Sequence, residues 1–87
     1  MKIPKELKIG GHLYQVTMCD GEDMDTDAGH SNRARNVIKI RKDMPKSQIE
    51  ETLIHEVLHA INGDFSEEKI DFLAMAIYAI LVDNKLI

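Results

Sequence analysis

His55-Glu56-Val57-Leu58-His59 carries the residue types and spacing that could do chemistry in this chain. On a helix, His55 and His59 lie four apart, one turn along the same face, with about 6 Å of rise between them. Two imidazoles so placed can coordinate one Zn²⁺, while Glu56 on the flank reaches a water beside that metal as general base. The surrounding residues predict the helix the pattern requires, over residues 46–63. Ser47 reads as its N-cap, with Glu50 three residues on completing a capping box. Gly63 follows the last periodic residue and is expected at the left-handed C′ position.

Periodicity separates this reading from a chance motif. With Ile49 at zero and about 100° per residue, Ile49, Leu53, Ile54, Val57, Leu58, Ala60 and Ile61 fall within a half-circle. His55 and His59 project onto the other half, beside Gln48, Thr52 and Asn62. They therefore line a polar face, as ligands at the floor of a cleft should. The competing reading is a solvated helix with two surface histidines.

The elements that position this helix come from a short chain. Its 87 residues predict one domain, residues 1–87, burying about 60–65% of the unfolded chain's surface. A core that modest gains from a bound metal or a partner copy. At 44% hydrophobic and 30% charged the composition is that of a soluble globular domain. A net charge of −4 argues against a nucleic-acid partner, whose footprint would be basic. The single Cys19 forms no internal disulfide and the N-terminus does not read as a signal peptide, both of which fit a reducing cytoplasm. The longest apolar run, Phe72 to Val82, is about half the length of a membrane span.

The class is α+β: a small N-terminal antiparallel sheet of three to four strands over residues 1–45, then two helices. Leu7–Ile9 and His12–Cys19 alternate as the arms of a hairpin about Gly10-Gly11. From Asp20 to Gly29 the chain is crowded with acids. Asp23-x-Asp25-x-Asp27 has the spacing that opens a calcium loop, but Ala28 and Ala34 stand where an EF-hand needs Gly and Glu, so a solvated acidic loop is the expectation. A second hairpin is expected over His30–Lys42, turning near Ala34–Asn36. Its arm Val37–Arg41 lies among Arg33, Arg35, Lys39, Arg41, Lys42 and Lys46, and reads as a charged edge strand that resists aggregation. Such an edge could also pair with an extended substrate peptide. Ser66 is expected to cap a second helix over residues 66–84. Its apolar face, Ile70, Leu73, Ala74, Ile77, Ile80 and Leu81 widened by Phe72, Met75, Ala76 and Ala79, is broader than a surface helix needs. The first helix covers part of it, and a second copy of the chain is the candidate for the rest.

His55-Glu56-x-x-His59 followed by Glu67-x-x-x-Asp71 resembles the gluzincin arrangement. The small size, the sheet-then-two-helices order and Leu73-Ala74 are similar to the compact minigluzincins. They are similar also to small zincin-like proteins of phage and prophage related to ImmA/IrrE-type metallopeptidases. The resemblance is specific over residues 47–82 and general in the sheet. It implies a zincin-like fold in which Glu67 is the third zinc ligand beside His55 and His59, while Asp71 orients a ligand histidine by accepting a hydrogen bond from its far nitrogen. Glu67 and Glu68 both open the second helix, and either carboxylate could serve. Glu68 projects about 177° from the centre of the apolar face and Glu67 about 77°, which favours Glu67. The resemblance also implies a bacterial or phage-infected host cytoplasm.

The activity implied is zinc-dependent hydrolysis of peptide bonds, with Glu56 as the catalytic base and a peptide or protein as substrate. His30 and Tyr78 are the candidates for a transition-state donor. Tyr78 lies about 16 Å along the second helix from Glu67 and reads as structural. The alternative function is a zinc-binding phage or prophage accessory protein with weak or no peptidase activity. Neither a nucleic acid nor a membrane is an expected partner.

Overall fold

The computed structural model describes residues 1–21 and 27–87. The chain runs β1 (Glu6–Ile9), β2 (His12–Cys19), β3 (Gly29–Asn32), β4 (Val37–Arg41), α1 (Lys46–Ile61) and α2 (Glu67–Asp83). Gly10 and Gly11 join β1 to β2 with φ of 57° and 86°, the paired left-handed values that match a two-residue turn to strand twist. Asn36 supplies the positive φ, 54°, that turns β3 back into β4. Both expected hairpins are therefore present. Residues 22–26, which hold most of the acidic stretch read as a solvated loop, lie outside the described residues.

The strands are arranged β1-β2-β4-β3. The sheet is mixed and not the purely antiparallel one expected, because β2 pairs with β4 in parallel, Val16 beside Ile38 and Met18 beside Ile40. Strand composition explains the order. Ile38 and Ile40 are fully buried, so β4 takes an inner position where both neighbours shield it. Gly29-His30-Ser31-Asn32 is polar and takes the edge. The expectation that Val37–Arg41 would be the edge strand is thus corrected: β3 is the edge, and the charged residues of β4 alternate with its buried isoleucines.

One face of the sheet carries the core. Tyr14, Val16, Ile38 and Ile40 meet Leu53 and Ala60 of α1, with Met1, Ile3, Leu7, Ile9, Met44, Ile49 and Val57 packed around them. The second helix lies against α1, burying Ile70 and Ala74. Ser66 caps it as expected, its hydroxyl accepting the Lys69 N–H at 3.1 Å. Its outward face stays bare, with Phe72 70%, Met75 62% and Ile80 57% exposed. Among the described residues, no helix is long and apolar enough to cross a membrane.

The ends of α1 differ from expectation. Pro45 stands at its N-cap and no side chain caps it, so Ser47 and Glu50 form no capping box. Glu50 is instead buried, accepting the Tyr78 hydroxyl at 2.7 Å and pairing with the Met1 amino group at 2.7 Å. A carboxylate that binds two donors from distant parts of the chain no longer needs its own helix terminus. At the other end, Asn62 is the C-cap in an extended conformation, and Gly63 does not adopt the left-handed one. Asn62 turns the chain through its side chain, whose oxygen accepts the Asp64 N–H at 2.9 Å.

Candidate metal centre

The exposed side of α1 holds His55 and His59 where the wheel puts them, half-buried one turn apart, with facing Nε2 atoms 3.2 Å from each other. The buried arc of the helix is rotated toward them. Thr52 and Glu56 are buried along with Leu53 and Ala60, whereas Ile61 is 59% exposed. This rotation follows from β3, which presses on α1 at its glycine. A Cβ at Gly29 would lie 2.6 Å from Thr52 Cγ2 and 2.9 Å from Glu56 Cγ. Only glycine permits that approach.

The short link after α1 folds α2 back so that its first turn meets the imidazoles. Glu67 reaches both, Oε1 lying 2.8 Å from His55 Nε2 and Oε2 3.0 Å from His59 Nε2. One turn on, Asp71 Oδ1 sits 3.1 Å from His55 Nδ1. An acceptor at Nδ1 favours the His55 tautomer that leaves the Nε2 lone pair for an ion. Ligand atoms of His55, His59 and Glu67 fall within 4.8 Å of one another, so this group could hold a metal ion. Two imidazole nitrogens and one carboxylate oxygen would hold an ion while leaving it room for a water or substrate ligand.

Glu56 turns away from solvent beneath this group. Burial pushes its carboxyl above the usual carboxylate range; the nearby His55, His59 and Ser31 draw it back, and the Glu67 charge adds to the rise. A carboxyl poised this way exchanges protons closer to neutrality than a surface glutamate does. The cleft above it has a volume of about 720 Å³, floored by His55, Glu56 and His59 and walled by β3 through His30 and Ser31.

All five expected site residues, His55, Glu56, His59, Glu67 and Asp71, line that cleft. Tyr78 does not, because its hydroxyl is engaged by Glu50. Three contributors went unread in the sequence. Gly29 seats the edge strand, Ser31 faces Glu56, and Thr52 fills the space between α1 and β3. A lone glycine opening a strand was the available signal for a close backbone approach. Comparison of the chain with protein-family models, with curated proteins and with solved structures finds no match.

Proposed function

We propose that the protein is a zinc-dependent peptidase. The observation that carries the reading is the convergence of His55, His59 and Glu67 on one point, with Asp71 Oδ1 3.1 Å from His55 Nδ1. The donor set fits Zn²⁺, which favours imidazole nitrogen with a carboxylate and tolerates an open fourth position. When bound there, the ion supplies Lewis acidity and lowers the pKa of water to about 7. Glu56 then accepts a proton from the attacking water at its buried carboxylate and returns it to the departing amine. Burial withholds competing solvent from that carboxylate. Among the described residues β3 is the edge of the sheet next to the cleft, where an extended peptide could add as a further strand.

The other reading, a zinc-binding accessory protein with weak or no peptidase activity, draws support from the cleft lining. Among the described residues it includes neither tyrosine nor arginine, and exposed His30 is the lining residue expected from the sequence as an oxyanion donor. One variant separates the two. Glu56→Gln is expected to keep one zinc per chain after purification and to lose turnover of an unfolded protein substrate. Equal turnover by wild type and Glu56→Gln refutes the assigned base. Absence of zinc from wild type, with no chelator-induced fall in its melting temperature, refutes the metal centre itself.

A further inference from the structure

The outer face of α2 has an order that core packing does not account for. At about 100° per residue, Lys69, Phe72, Ala76, Ile80 and Asp83 fall within an arc of about 80°. The buried Ile70 and Ala74 lie about 120–160° round from its centre. Along the axis these five residues are spaced three, four, four and three apart. The series is symmetric in position about Ala76 and opposite in charge at its ends.

We infer that this face docks a second copy of the chain, the two α2 helices packing antiparallel about a two-fold axis through Ala76. The axis sets Phe72 of one copy against Ile80 of the other, twice. It also brings Lys69 of each copy to Asp83 of its partner, both about 10 Å from the axis. A parallel pairing would instead oppose lysine to lysine and aspartate to aspartate, so the charges select the antiparallel one. Ala76 at the crossing lets the helices approach to about 8 Å, the close end of the usual range.

Phe72 and Ile80, 70% and 57% exposed, are the large exposed apolar residues on this arc. Together they leave on the order of 250 Å² in water per chain, the scale of a weak, concentration-dependent contact. The occupant is selected by the opposed charges of Lys69 and Asp83 and not by area. Met75 and Val82 lie about 100° and 120° round from the centre of the arc, and Met75 lines the cleft. Glu67 and Asp71 lie about 140–180° from this face, so pairing leaves the cleft open. The inference rests on no part of the metal reading.

Sedimentation equilibrium of the full chain from about 5 to about 500 µM should show its mass rising from one chain to two. Phe72→Ser should abolish the rise, and so much of Phe72 is exposed that its loss opens no internal cavity. Lys69→Asp and Asp83→Lys should each weaken association about fivefold, and the double charge reversal should restore it to within about twofold of wild type. Ala76→Cys in a Cys19→Ser background should form a disulfide-linked dimer on mild oxidation, as expected for a residue on the axis. A wild type that stays monomeric at every concentration overturns the inference and leaves the face to a different protein. A dimer indifferent to Phe72→Ser, or a double reversal no better than the single ones, places the contact elsewhere and overturns it equally.

Discussion

Gly29 and Glu56 touch where the edge strand meets the buried arc of α1: a Cβ on Gly29 would stand 3.0 Å from Glu56 Oε2 and 2.9 Å from its Cγ. The carboxylate is therefore positioned by backbone, and a single methyl group at residue 29 should displace it. Gly29→Ala is expected to cost about 1–3 kcal/mol by overpacking. Any turnover that depends on Glu56 should fall with it. The nearer obstacle is Thr52 Cγ2 at 2.6 Å, so Thr52→Ala should recover part of the stability lost in Gly29→Ala. Thermal melts of the two single variants and the double test this as a cycle; strict additivity would mean that the strand simply shifts away.

Glu67 and Glu68 are neighbours with different fates. Glu67 lies within 3.0 Å of both histidine Nε2 atoms, while Glu68 is exposed at the start of α2. Glu67→Ala should weaken zinc affinity at least tenfold, whereas Glu68→Ala should leave it within a factor of about two. Titration of the two apo-variants against a competing zinc indicator decides between them. The reverse ranking would put Glu68 in the ligand set.

Stability should respond to pH through Glu50 and Tyr78. The Met1 amino group and the Tyr78 hydroxyl hold the Glu50 carboxyl below its usual range. Its folded pKa is depressed, so its contribution is present above the unfolded value near 4.3 and is lost as pH falls through the folded one. Tyr78, facing that carboxylate, is raised above the usual phenol range. The neutral phenol therefore stabilises the fold below about pH 10 and ceases to do so as pH climbs through the raised value. Tyr78→Phe should lower the melting temperature by a few degrees at pH 7 and shift the acid limb of the stability curve upward in pH. An unchanged acid limb would show that the amino group alone sets the Glu50 carboxyl.

What could be read from the sequence was local. The Gly10-Gly11 turn, the Ser66 cap and the common face of His55 and His59 each depend on residues a few positions apart, and each has the expected geometry. What escaped depends on partners far along the chain. Glu50 looked like a capping residue because nothing nearby could bury a carboxylate; Met1 and Tyr78 do so from opposite ends. The alternation of Val37–Arg41 suited an edge as well as an interior. Only the polarity of Gly29–Asn32 decides that β3 lies outside and β4 within. The role of Gly29 was hidden for the same reason, since its neighbours on α1 come more than twenty residues later.

The parallel pairing of β2 with β4 has a kinetic consequence. Each hairpin, β1–β2 and β3–β4, closes over a handful of residues and can form in microseconds without the other. Joining them is the slower event, because Val16 finds Ile38 only after the intervening chain has been looped and its freedom surrendered. That loop enters the barrier logarithmically: doubling its length would add only about 0.6 kcal/mol. Val16 beside Ile38 and Met18 beside Ile40 are the apolar pairs that must meet across that loop before the two hairpins become one sheet.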